Sequence, residues 1–221
     1  MVNIRLDLPI RLTAITVDRL NVTTSGEAFQ ELQRCAAFYR EQYGGRDIGQ
    51  VPGVQYARQL FRELGIEPTR HRPASEALLR RALKNLPLYS INNLVDVCNF
   101  CALDFLLPNG VYDLQKLAGK IILRRGKTGE EYLGHTGQVV HLEGRYTLVD
   151  ELGPFGSPIT DSLRAAVCLQ TTQALIIVYA PLTYPEAKLA GQLAMFSERL
   201  ATYCQADDIE KLIISGNSIT H

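Results

Sequence analysis

The sequence predicts an α+β fold, with helices layered on a β-sandwich-like mixed sheet. Apolar residues at helical spacing dominate up to residue 106, and short β-like segments broken by Gly-containing turns dominate from 120 to 180. An amphipathic pattern at 185–204 then closes the chain with a helix. No period of 20–50 residues repeats, which excludes a solenoid.

In chain order, residues 8–18 (PIRLTAITVDR) mix apolar and β-branched positions and predict a first strand. Residues 26–43 place Phe29, Leu32, Ala36 and Phe38–Tyr39 on one helical face, stopped by Gly44–Gly45. A short helix at 54–64 buries Tyr56, Leu60, Phe61 and Leu64 and ends before Gly65. Pro73 opens a helix over 73–85, where its missing N–H costs nothing, with Leu78, Leu79, Ala82 and Leu86 as the buried stripe. Helix 91–106 follows Pro87, with Ser90 as its expected cap. Segments 120–125, 130–133, 138–142 and 145–150 read as short strands. The stretch 151–160 (ELGPFGSPIT), with two Gly and two Pro, reads as an irregular loop, and 165–180 as a long strand or strand pair.

Composition narrows the function. With 23 basic and 23 acidic residues there is no general nucleic-acid coat, so any RNA contact must be local. The longest apolar run, ALIIVYA, is far shorter than the ~20 residues of a membrane span, and the start MVNIRLDLPI lacks a signal-peptide core. The reading is a cytoplasmic chain without a membrane partner. Five cysteines without framework spacing suit a reducing compartment. Cys98 and Cys101 form a C-x-x-C pair inside an apolar helical pattern, with only His135 and His141 available as further ligands, so buried structural thiols are expected and no metal. No Walker loop, Rossmann fingerprint or nucleophile elbow occurs, and no cofactor is expected.

The densest positive stretch is Arg70-His71-Arg72, followed by Arg80, Arg81 and Lys84. Arg80 and Lys84 are four apart on one helix face, a geometry suited equally to phosphates and to a solvated surface. The loop residues Arg70, His71 and Arg72 are the stronger binding candidates. Asn92, Asn93, Asp96 and Asn99 crowd polar groups into an apolar helix. They read either as a buried network pinning the Pro-Asn-Gly loop at 108–110 or as ligand contacts. Asp150, Glu151 and Asp161 flank the Gly/Pro loop.

Residues 95–113, VDVCNFCALDFLLPNGVYD, resemble without a gap the "VDV-T-N-Y-…-Q-P-M-H-A-F-D" signature of the editing and tRNA-binding (B3/4) domain of the phenylalanyl-tRNA synthetase beta subunit. The segment GKIILRRGKTGEEYLGHTG at 119–137 continues that family's strand pattern, and PASEALLRR at 73–81 resembles the opening helix of its free-standing versions. The resemblance covers about residues 70–180. It implies a single domain over 1–221, with the strand and helices of 1–66 and the helix 185–204 packed on that segment. The family domain binds tRNA and removes tyrosine wrongly attached to phenylalanine tRNA. The synthetase's catalytic-core motifs are absent, so aminoacylation is not expected.

The family's His falls at Gly110, and its Gly-Gly loop and Glu do not align cleanly with ELGPFGSPITDS. The substrate-pocket candidates are Asn99, Asn109, Gly110, Asp113, Asp150, Thr160 and Asp161. The tRNA-binding candidates are Arg70, His71, Arg72, Arg80 and Lys84. Two functions follow: a trans-editing hydrolase of misacylated tRNA, or a non-catalytic module binding tRNA or a free amino acid.

Overall fold

The computed structural model describes residues 4–6, 8 and 10–215; His221 lies outside them. Strand β9 (Ala174–Pro181) organises the packing, because every one of its residues is buried. Alternation sends Ala174, Ile176, Val178 and Ala180 into one apolar cluster and Leu175, Ile177 and Tyr179 into another. Successive strand side chains point to opposite faces, so a strand apolar throughout needs cover on both. Its neighbour β2 (Ile10–Arg19) alternates likewise, with Ile15 and Val17 on one side and Ile10, Leu12 and Ala14 on the other. Strands β3 (Asn109–Asp113) and β10 (Asp207–Ser215) complete an antiparallel sheet in the order β10-β2-β9-β3.

Helices cover one face of this sheet. α4 (Asn93–Phe105) contributes Leu94, Val97, Cys98, Cys101 and Phe105, and α5 (Glu186–Cys204) contributes Leu189, Leu193, Phe196 and Leu200. Those spacings of three and four put each set on one side of its helix. The other face meets a second sheet of β1 (Ile4–Leu6), β4 (Ile121–Arg125), β7 (Tyr146–Asp150) and β8 (Gly153–Gly156), where β1 runs parallel to β4 and the remaining pairs are antiparallel. Ile121, Leu123, Leu148 and Phe155 pack there with Leu12 and Ile177. Between β4 and β7 in the chain lies the hairpin β5 (Glu131–Leu133) and β6 (Val139–His141). α1 (Glu27–Tyr43) and α3 (Ala74–Leu83) form a further layer on α4, through Leu32, Ala36, Leu79, Ala82 and Leu103. α2 (Val54–Glu63) adds Leu60 and Phe61 to the sandwich cluster. The fold is α+β, as expected.

Several local expectations differ from the structure. The stretch 151–160 contains β8, whose Pro154 is tolerated because β8 is an edge strand, joined to β7 across a bulge at Leu148/Val149. Of 165–180, only the part from Ala174 is strand. The segment before it runs as turns that bond edgewise to β3, with the Asp113 N–H donating to the Ala165 carbonyl. β3 was hidden by its Asn-Gly start, and β10 by an exposed sequence with weak alternation. The cap of α4 is Asn92, whose side chain accepts the Val95 N–H at 2.9 Å, while Ser90 donates instead to Asp96. Phe38 and Leu86, expected inside, are exposed; Leu86 lies beyond the end of α3, and the inward positions beside Phe38 are Ala36 and Tyr39.

Candidate functional site

A polar centre lies between the two sheets. Tyr112 on β3 is fully buried, and its ring meets Phe155 of β8 edge-on at 4.9 Å between centroids. Its hydroxyl donates to Asp161 Oδ1 at 2.5 Å. Gly110 lies two residues earlier on the same strand face, and a Cβ there would stand 2.4 Å from the Tyr112 hydroxyl and 3.2 Å from Asp161 Oδ1. A Cβ at Gly156 would also stand 2.4 Å from that hydroxyl. The phenol thus occupies the space that side chains at both positions would need.

Asp161 keeps part of its surface open, while its carboxyl is enclosed by protein. Burial pushes its pKa up to about 7, outweighing the opposing hydrogen bonds from Tyr112 and the Ser157 backbone. Around it, the hydroxyls of Tyr132 and Ser157 donate to the Thr160 carbonyl at 2.7 and 2.8 Å, and Ser157 Oγ accepts the Thr160 N–H at 3.1 Å. Tyr112 and Tyr179 are held protonated by burial, reinforced by the nearby Asp161 charge.

Of the pocket candidates, Gly110, Thr160 and Asp161 come together here. Asn109 instead donates to the Cys98 carbonyl at 2.9 Å and ties β3 to α4, and Asn99 sits half-buried on α4. Asp113 accepts from the Gln115 N–H at 3.1 Å and the Thr171 hydroxyl at 2.8 Å. Asp150 is held by Arg164, at 2.9 Å from one oxygen, and by the Ala118 N–H at 2.9 Å from the other. Both carboxylates staple loops.

The network on α4 does not pin the 108–110 loop. Asn93 accepts the Thr23 N–H and donates to the carbonyls of Asn21 and Tyr203, and Asp96 accepts from Ser90 and the Ile91 N–H. Starting the helix at Asn93 turns these side chains toward the preceding segments. Tyr112, Tyr132, Ser157 and Tyr179 were absent from the sequence-derived set. The readable signal is the alternation Gly110-Val111-Tyr112, which the Pro-Asn-Gly turn signal at 108–110 masks.

Cys98 and Cys101 are both buried in the helix-side core, and burial pushes the Cys101 thiol up to about 12. Among the described residues no group of three or more His, Cys, Asp or Glu is placed to hold a metal ion. His141 pairs with Glu131 at 3.2 Å, and His71 is exposed.

A second feature is a cleft of about 620 Å³ between the turn after α1, α2 and α3. Arg46, Arg58, Arg62, Arg72, Arg80 and Lys84 line it. Buried Glu76 accepts from Arg58 Nε at 2.8 Å and Nη2 at 2.9 Å, with Arg72 Nε at 3.5 Å. Of the tRNA-binding candidates, Arg72, Arg80 and Lys84 line this cleft, whereas Arg70 and His71 stand exposed outside its lining. Arg81 turns away, donating to the Pro87 carbonyl and stacking on Tyr89 at 5.1 Å.

The family model for the B3/4 domain matches residues 56–202. Over 105 residues the chain is 30% identical to the phenylalanine–tRNA ligase beta subunit of Bartonella henselae, covering 47% of this chain and 13% of that protein. It is 35% identical over 82 residues to the same subunit of Bradyrhizobium diazoefficiens, covering 37% and 10%. It is 40% identical over 65 residues to that of Geobacter metallireducens, covering 29% and 8%. The matches thus span between 8% and 13% of these relatives' length. A solved N-terminal fragment of the phenylalanyl-tRNA synthetase beta subunit from Pyrococcus horikoshii has 14% identity and a TM-score of 0.44, covering 90% of this chain and 78% of the fragment. The family match runs from α2 through nearly all of α5 and takes in the buried polar centre; this chain belongs to the B3/4 domain family.

Proposed function

We propose that this chain binds aminoacyl-tRNA and hydrolyses the ester of a misacylated one in trans, with Asp161 as the general base. The observation that carries the reading is the Tyr112 hydroxyl donating to the Asp161 carboxyl at 2.5 Å, on a residue that keeps part of its surface open while burial of the carboxyl raises its pKa to about 7. A base works best when its pKa lies near the operating pH, and such shifted groups concentrate at functional sites. Ionised Asp161 takes a proton from water as the water oxygen bonds to the ester carbonyl carbon. The ester C–O bond then breaks, and the proton passes to the departing ribose oxygen, leaving a free amino acid and uncharged tRNA. The hydroxyls of Ser157 and Tyr132 both donate to the Thr160 carbonyl and so hold the turn that carries Asp161 in place beside Tyr112.

A second reading, a module that binds tRNA or a free amino acid without hydrolysis, is favoured by the Tyr112 phenol standing over Gly110. A deacylation panel separates the two, starting with tyrosine on phenylalanine tRNA. Hydrolysis by the native protein, reduced by about a hundredfold or more in Asp161→Asn, supports the first. Absence of hydrolysis across the panel leaves the second.

A further inference from the structure

We propose that the cleft between the turn after α1, α2 and α3 is a phosphate-binding site for a ligand with more than one phosphate group, supplied by an RNA backbone or by a free polyphosphate. The chain carries no net charge, yet six cations converge here with three carboxylates, Asp47, Glu67 and Glu76. Each carboxylate already has local work. Glu76 holds Arg58 through two hydrogen bonds and draws in Arg72. Glu67 Oε1 accepts the Thr69 N–H at 3.2 Å and its hydroxyl at 2.9 Å, and Asp47 Oδ1 accepts the Gly49 N–H at 2.7 Å. Among the described residues, Arg46, Arg62, Arg80 and Lys84 have no carboxylate within ion-pairing distance.

The arrangement differs from a solvated helix face in two respects. The cations come from three chain segments and face a common concavity, whose volume falls in the range of small-ligand sites. Its centre is also built: Glu76 is buried, and its bidentate grip fixes the Arg58 guanidinium while leaving Nη1 unbonded among the described residues. A Cβ at Gly49 would stand 2.9 Å from Asp47 Oδ1 and 3.2 Å from Nη1, so the glycine leaves room for both groups. A pre-oriented guanidinium surrounded by unpaired cations is suited to phosphate oxygens, which accept bidentate, charge-assisted bonds. This site is independent of the Asp161 reading.

The test compares Arg62→Gln/Arg80→Gln, both at exposed positions, with Lys120→Gln/Lys211→Gln, which removes the same charge outside the cleft. Inorganic tripolyphosphate is titrated by calorimetry and uncharged tRNA by filter binding over a range of salt, with circular dichroism confirming the fold of each variant. The cleft variant is expected to lose about tenfold in affinity, and its slope of log K against log salt to become shallower by about 1.5, while the control stays close to wild type. Loss for tRNA identifies the RNA backbone as the ligand; loss confined to tripolyphosphate identifies a free polyphosphate. Equal behaviour of the two variants with both probes, or binding of neither probe by the native protein, overturns the proposal. Deacylation is scored separately, so a failure of hydrolysis does not bear on the cleft.

Discussion

Gly110 and Gly156 sit under a single phenol, and that contact makes a specific energetic demand. A methyl at 110 would lie 2.4 Å from the Tyr112 hydroxyl oxygen and 2.9 Å from its ring carbon, so Gly110→Ala should destabilise by about 1–3 kcal/mol through overpacking. Tyr112→Phe removes the nearer atom, and the Gly110→Ala penalty should shrink in that background. A urea-denaturation double-mutant cycle reads this coupling; equal penalties in both backgrounds would show that the phenol is not what the methyl meets. Asp161 makes a demand through pH. Its folded pKa stands at about 7 against an ordinary 3.8, so between those values the folded protein keeps a proton that the unfolded chain has lost. The resulting stability is present near pH 4 and is lost as pH rises through about 7. Melting temperatures from pH 5 to 8 should therefore fall more steeply for the native protein than for Asp161→Asn. Parallel curves would mean that the carboxyl titrates normally. The same ionisation should make any deacylation rate rise with pH through about 7.

At the level of elements, the start of α4 is the joint of the helical layer. One side chain, Asn93, bonds the segment after β2 through Asn21 and Thr23 and the end of α5 through Tyr203, at 2.7–2.9 Å. Its removal leaves part-buried backbone groups in two segments without their partner, and each unsatisfied group costs up to about 1–3 kcal/mol. Asn93→Ala should lower unfolding stability by about 3 kcal/mol and raise hydrogen exchange at residues 21–23. Exchange unchanged there would show that the segment is held by other contacts. The element as a helix was legible, since its apolar spacing and polar start are local. Its cap was not: Ser90 and Asn92 are both good caps by type, and the choice was made by Asp96, which captures the Ser90 hydroxyl. β8 and β10 were illegible for a related reason. Pro154 and the charged DDIEK start argue against strand locally, and each forms by adding to a sheet edge already built by β7 or β2.

Across the whole molecule, the antiparallel sheet is enclosed on both faces, and the cysteines report on that enclosure. Cys98, Cys101 and Cys204 are buried in the helix-side core, where burial raises their thiols, Cys101 and Cys204 to about 12. Cys168 lies in the turns before β9, where hydrogen bonds from the Gln170 backbone and Thr171 lower its pKa. Under native conditions a thiol reagent should label Cys168 first and leave Cys98, Cys101 and Cys204 protected, all five reacting only on unfolding. Rapid native labelling of Cys98 or Cys101 would contradict the packing of α4 against the sheet.

By itself the sequence determined the helical stretches, a strand within 165–180 and the α+β class, because periodicity, proline starts and glycine stops act between near neighbours. It also pointed to Gly110, Thr160, Asp161, Arg72, Arg80 and Lys84 as residues worth following. Tertiary structure alone decided which of them meet. The β3–β9 register sets Tyr112 and Gly110 on the sandwich side, and the turn after β8 then brings Asp161 to that hydroxyl. The same holds for the cleft, where Arg46, Arg58 and Arg62 join the α3 cations only because three separate segments pack together. Such meetings depend on strand register and layer packing between residues far apart in the chain, and no local pattern encodes them.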